Sequence, residues 1–210
     1  MSALRHEERR RARGRPRAFD REAALRRAMD VFWAKGYDTC SMSDLVDAMG
    51  INSPSLYAAF GSKEELYREA VNLYACAEGG AALRDLQAHQ SVRDGLRAMF
   101  RTSVELFTGT ANPRGCMIFL GAMSVRAEHG RLRAELQKRR RRVASIVANR
   151  VAQAVESGEL DAGTDVPALS MLCMTLFAGL SIQAQDGVRK PALFAAIDQF
   201  IAMLPMRATC

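Results

Sequence analysis

The stretch SMSDLVDAMGINSPSLYAAF, residues 41–60, decides how this chain folds. Ser41 to Asp44 has capping-box spacing, in which a Ser hydroxyl accepts the N–H three residues on and the carboxylate there accepts from the cap residue's own N–H. Leu45, Val46 and Met49 give the helix that follows a buried side, and Gly50 ends it. Ile51-Asn52-Ser53 makes a tight connection. Pro54 suits the first turn of a second helix, where an N–H has no intrahelical partner anyway. Leu56, Tyr57 and Phe60 form the inner face of that helix, and Gly61 closes it. Two short helices across a glycine-containing turn are the helix-turn-helix pattern. That pattern places the second helix in the major groove of DNA, with its first residues at the base edges. Here those residues are Asn52, Ser53, Ser55 and Tyr57. Taken alone, the Ser, Asn and Pro cluster also reads as plain capping chemistry.

The neighbouring segments support the pair. Upstream, Asp20 reads as an N-cap. Leu25, Ala28, Met29, Phe32 and Trp33 then lie on one helical stripe, which Gly36 stops. Downstream, Ser62-Lys63-Glu64-Glu65 is a second capping box. It opens a long helix carrying Leu66, Ala70, Leu73 and Ala77. Ser91 to Asp94 is a third box, followed by Val92, Leu96, Met99, Phe100 and Phe107 in register. Further helices are expected over about 116–126, 131–157, 167–185 and 191–204, with loops at 109–115 and around Gly158, Gly163 and Pro167. The count is about nine helices in an all-α protein. The composition agrees, because Ala, Leu, Arg, Glu and Met dominate and β-branched residues are sparse. The expected division is a basic, disordered arm over 1–18, a helix-turn-helix domain over 19–66, and a larger helical domain over 67–210.

Charge narrows the partner. The 210 residues carry a formal net charge of +7, which fits an anionic partner such as nucleic acid. The arm holds seven arginines, Arg15 and Arg17 among them, against two glutamates. It reads either as a solubilising tail or as a strand of arginines entering the minor groove. The run Lys138 to Arg142 reads as the solvated face of a long helix. Residues 166–185 carry no charge and are long enough to cross a bilayer. Their Pro, Ser, Thr and Gln content fits better a helix buried in a protein interface. The five cysteines are odd in number, widely spaced and without a CxxC pair. That excludes a disulfide framework or structural zinc site as the organising feature and suggests a reducing cytoplasm. The N-terminus lacks the apolar core of a signal peptide.

At residues 20–70 the chain resembles the tetracycline-repressor (TetR) family of regulators. The resemblance rests on Ala28, Phe32, Gly36, Tyr37, Thr39, Met42, Leu45, Ala48, Gly50, Ile51, Leu56, Tyr57, Phe60, Lys63, Glu64 and Leu66, with Gly14 to Arg17 like the leading arm of many members. Pro54 and Ala59 depart from the usual pattern, where a small residue and a His are common. The resemblance implies that Thr39, Tyr57 and Lys63 contact DNA phosphates, with Ser41 and Ser43 near the backbone. It also implies a homodimer through the last two helices. A small molecule entering the C-terminal core then tilts the DNA-binding helices off successive major grooves, about 34–36 Å apart.

An effector cavity is expected among apolar and sulfur-bearing residues, with Tyr74, Phe100, Val104, Phe107, Cys116, Met117, Met123, Met174 and Phe177 as the candidate lining. Adaptable Met-rich walls suit apolar ligands. Cys116 follows Gly115 at a helix start, where a thiol is acidified and can sense electrophiles; a buried structural thiol is the alternative. His89 and His129 have no sequence partner at metal-ligand spacing. No catalytic constellation, phosphate loop or metal cluster is legible, so neither enzyme, cofactor nor metal is expected. The ligand-gated repressor therefore stands beside a DNA-binding protein without an effector.

Overall fold

The computed structural model describes residues 19–109 and 114–207. They form ten helices: α1 (Arg21–Lys35), α2 (Met42–Met49), α3 (Ser53–Phe60), α4 (Lys63–Cys76), α5 (Ala81–Ala88), α6 (Val92–Thr108), α7 (Met117–Ser124), α8 (Gly130–Glu156), α9 (Val166–Gln185) and α10 (Lys190–Ala202). Among the described residues the only β pairing is an isolated bridge between Leu160 and Met206. The all-α architecture is the expected one. The short α5 is an addition: its start at Gly80 has no side-chain cap, and only Ala82 and Leu86 are buried, too few to make a period visible.

Caps set the helix starts. Asp20 Oδ1 accepts the N–H groups of Glu22 and Ala23, both at 3.0 Å. The Ser41–Asp44 box is complete, with Asp44 N–H on Ser41 Oγ at 3.1 Å and Ser41 N–H on Asp44 Oδ2 at 2.9 Å. Asn52 caps α3 by accepting the Ser55 N–H at 2.9 Å. Ser62 Oγ accepts from Glu65 N–H at 3.1 Å. At α6 the arrangement is different from a local box. Ser91 takes the Asp94 N–H, but the carboxylate that receives the Val92 N–H is Glu159, 67 residues away, at 2.7 Å.

The helix-turn-helix domain packs α1 against α2 and α4. Ala28, Met29, Phe32, Leu45, Met49, Leu56 and Leu66 are all buried in it. This core does not stop at the domain edge: the buried apolar residues from Ala24 to Leu204 form one contiguous cluster. Aromatic rings carry it across. Phe32 meets Tyr67 edge-on at 4.9 Å, and Trp33 meets Tyr74 at 4.8 Å. The expected boundary at 66/67 falls inside α4, which runs through it unbroken.

The uncharged segment is α9, 20 residues with a mean hydropathy of 1.6 and long enough to cross a membrane. It packs on α6, α7, α8 and α10, burying Cys173, Phe177, Leu180, Ser181 and Ala184. Its other side leaves Met171, Leu172 and Ile182 exposed, and Met203 just after α10 is exposed as well.

Candidate nucleic-acid interface and the cavity behind it

Helices α2 and α3 present the polar residues expected at DNA. Thr39, Ser41, Ser43, Asn52 and Ser53 are exposed and Ser55 is half-buried, while Tyr57 is 49% exposed although Leu56 and Phe60 beside it are buried. The Thr39 hydroxyl donates to the carbonyl of Lys35, and Ser43 Oγ lies 3.4 Å from Asp47 Oδ2. An open groove between the two helices is lined by Val46, Asp47, Gly50, Ile51, Asn52 and Ser55, with Phe19 at its edge. Lys63 Nζ sits 4.6 Å over the Tyr37 ring. Arg15 and Arg17 lie outside the described residues.

Two arginines of α1, absent from the sequence reading, hold these helices in place. Arg27 donates to the Met49 carbonyl at 3.2 Å, and Arg21 to the Ala59 carbonyl at 3.2 Å. Each supplies a donor to an end of α2 or α3 where carbonyls lack intrahelical partners. Lys35 pairs with Asp44 at 2.6 Å. That ion pair, with the N–H and hydroxyl of Ser41, pulls the Asp44 carboxyl down to about 2, so the cap of α2 stays ionised well into acid.

Behind this surface lies a cavity of about 40 Å³ among α4 to α9. Of the expected lining it contains Tyr74, Phe107, Cys116 and Phe177, joined by Glu78, Leu83, Thr102, Ser103, Leu106, Ile118, Phe119 and Val143. Phe100 and Val104 are fully buried core residues. Met174 is half-buried against the core. Met117 and Met123 border a separate crevice, with Trp33, Lys35 and Gln185 among its other walls. Met123 is 67% exposed, so its place in the expected lining is corrected; periodicity could assign residues to helix faces but not to one side of a shared space.

Cys116 is buried, and burial pushes its thiol up. The Tyr74 hydroxyl and the N–H groups of Phe119 and Ile118 oppose this without overcoming it. The acidifying effect of the α7 N-terminus is thus outweighed by loss of water, and the buried-thiol reading holds in this conformation. The Tyr74 hydroxyl donates to the sulfur at 3.4 Å, and the Cys116 N–H donates to Ser181 Oγ at 2.8 Å. Cys40, Cys76 and Cys173 are free as well.

The segment bearing Cys116 is bolted to the helix-turn-helix half at both ends. At its start, Trp33 Nε1–H donates to the Gly115 carbonyl at 2.9 Å, fully buried. At its end, Asp38 N–H donates to the Ser124 carbonyl at 3.3 Å, and Asp38 Oδ2 accepts the Arg126 N–H at 2.6 Å. His129 Nε2 is 3.1 Å from Asp38 Oδ1. Gly36, at φ +78°, makes room for this contact: a Cβ there would stand 2.6 Å from Ser124 Cβ. Asp38, Glu128 and His129 bring three potential metal ligands within 4.8 Å of one another, although both Asp38 oxygens are already engaged in the clasp.

A capped helix-turn-helix that exposes Ser, Asn and Tyr, set on a larger helical body, defines a DNA-binding regulator. The comparisons with known proteins are specific. Residues 24–70 match the family described as bacterial regulatory proteins, tetR family. Residues 92–198 match the tetracyclin repressor-like C-terminal domain. The chain belongs to the TetR family and is a DNA-binding transcriptional regulator. It is 32% identical over 179 residues to the HTH-type transcriptional repressor ComR of Escherichia coli strain K12, covering 84% of both chains. Among solved structures, a cysteine mutant of the TetR family regulator CifR, complexed with 26-base-pair operator DNA, is 40% identical with a TM-score of 0.86. The match covers 91% of this chain and all of that one. A TetR-type regulator from Rhodococcus sp. RHA1 is 34% identical with a TM-score of 0.60, covering 89% of this chain and all of that one.

Proposed function

We propose that the chain is a homodimeric repressor that binds operator DNA through α2 and α3 and releases it when a compact, largely apolar molecule enters the cavity. The observation that carries this reading is the bond from Trp33 to Gly115, which fastens helix α1 to the residue preceding cavity-lining Cys116. A ligand that displaces the start of α7 thereby displaces α1, on which Arg21 and Arg27 hold the helix-turn-helix. Thr39, Tyr57 and Lys63 take DNA phosphates, Ser41 and Ser43 lie against the backbone, and Asn52, Ser53 and Ser55 face the bases. Arg15 and Arg17 reach the adjacent minor groove. The CifR cysteine mutant, complexed with operator DNA, supports this mode by its likeness across nearly the whole chain.

Dimerisation runs through α9 and α10 of two copies. Its support is the apolar surface left by Met171, Leu172, Ile182 and Met203 on helices otherwise packed into the core. The protein acts in the cytoplasm, where free buried thiols are stable.

Fluorescence anisotropy against DNA from immediately upstream of its own gene, beside scrambled DNA at near-physiological salt, tests the reading. Tight binding that prefers the upstream DNA and falls when an apolar ligand is added is the expected result. Preferential binding that no ligand weakens makes the protein a constitutive binder. Equal, weak binding to both DNAs removes this operator assignment.

A further inference from the structure

Glu78, in the turn between α4 and α5, lies on the cavity wall. Its Oε1 pairs with Arg26 of α1 at 2.9 Å. Its Oε2 is buried and has no hydrogen-bond partner among the described residues. A buried acceptor without a donor is costly, so a donor delivered there by a bound molecule gains more than it does at the surface. The surroundings favour a charged donor. Asp30 is near enough that its carboxyl is pushed up first by burial and then by Glu78, with Arg26 opposing. Arg26 is ion-paired to Glu78, and the Asp30 carboxylate adds a second negative charge to the same neighbourhood. The rest of the wall is aromatic, with Phe107 and Phe119 ring centroids 5.5 Å and 4.8 Å from that of Phe177 and Tyr74 beside them. Aromatic faces attract cations and accept apolar bodies alike.

We propose that the cavity, about 40 Å³ when empty, opens around a compact amine, its protonated nitrogen on Glu78 Oε2 and its apolar body among Tyr74, Phe107, Phe119 and Phe177. This rests on reading the cavity as an effector site, and it specifies how that site acts. Arg26 belongs to the first helix of the DNA-binding half, so an ammonium on Glu78 competes with Arg26 for one carboxylate. Its arrival loosens α1 from the α4–α5 turn. Amine and operator then weaken each other by the same factor.

The test is calorimetric titration of the full-length protein with benzylamine, with toluene as the uncharged body of the same shape and benzoate as the anion. Benzylamine is expected to bind roughly tenfold or more tighter than toluene, as a charge-assisted hydrogen bond implies, and benzoate not to bind. Glu78→Gln brings benzylamine down to the toluene level and leaves toluene unchanged, which also shows the variant's cavity to be folded. Arg26→Gln removes the competitor and tightens benzylamine. Equal binding of benzylamine and toluene, or no response of benzylamine to both substitutions, overturns the amine proposal and leaves the cavity as an apolar effector site. Failure of all three probes to bind overturns the amine proposal and the effector reading together.

Discussion

The indole N–H of Trp33 and the carbonyl of Gly115 lie 82 residues apart in sequence and are joined by a direct, buried hydrogen bond of 2.9 Å. One is on the first helix of the DNA-binding half, and the other precedes the segment that walls the cavity. Replacing Trp33 by Phe keeps a ring against Tyr74 but leaves the carbonyl without a donor. The expected cost is about 1–3 kcal/mol, read as a lower urea midpoint. The larger consequence is for coupling. Operator affinity without ligand changes little, while the loss of affinity caused by a saturating ligand shrinks. Unchanged coupling in anisotropy titrations would remove Trp33 from the route.

Tyr57→Ala and Lys63→Ala are expected to weaken operator binding while leaving the dimer folded. Tyr57 is half exposed and contributes little to the core. Lys63 stands at the first position of α4, where the cap belongs to Ser62. A gel-shift titration with circular dichroism alongside decides the matter; wild-type affinity in either variant rejects that residue's phosphate role. Loss of one phosphate contact also flattens the dependence of log affinity on log salt, by about 0.9 per charge for duplex DNA, so only Lys63→Ala should change the slope.

Met171→Glu places a carboxylate on the exposed side of α9, 68% accessible in the single chain. In a monomer this substitution is nearly neutral. Buried at a dimer interface it leaves an uncompensated charge, costing several kcal/mol. Sedimentation is expected to shift the variant toward monomer, with operator affinity falling in parallel. A dimer of wild-type strength would move the interface away from this face.

The carboxylate of Glu159 sets a pH dependence. Burial pushes its pKa up, but the N–H of Val92, the Ser91 hydroxyl and the N–H of Arg93 outweigh it, so the group titrates below its ordinary value. A lowered folded value contributes stability that is present above the unfolded carboxyl pKa of about 4.3 and is lost as pH falls through the folded value. Glu159→Gln should therefore lower stability at pH 7 by about 0.5–2 kcal/mol, the range for a helix cap, read as a lower urea midpoint. The gap to wild type narrows below about pH 4.3. A gap independent of pH would assign the effect to shape rather than charge.

The DNA-facing half was legible because its determinants are local. Ser41 with Asp44, Asn52 with Ser55, and Ser62 with Glu65 each lie three residues apart, and a cap at that spacing is visible in a string of letters. At α6 local reading went only part of the way, since Ser91 was in view but its carboxylate partner was Glu159. The cavity suffered most. Phe100 and Phe107 share a helix and a buried face, yet only Phe107 reaches the open space. Which of two core residues borders a void depends on the neighbouring helices, and those are placed by contacts such as Trp33 to Gly115 and Arg26 to Glu78. Cys116 shows the same limit from the side of charge: its position at a helix start is readable, and the burial that overrides it is not.

The close fit of Gly36 on Ser124 limits how this regulator can be re-engineered. Swapping reading heads between regulators assumes that a head is a continuous piece that can be cut after α3 or α4. Here the surface that receives the head is encoded some ninety residues later, between Gly115 and His129. A chimera that transplants residues 19–76 alone sets Trp33, Gly36 and Asp38 against foreign partners. One that carries residues 114–129 with them preserves the joint, so the transferable module is two pieces of sequence and one piece of structure.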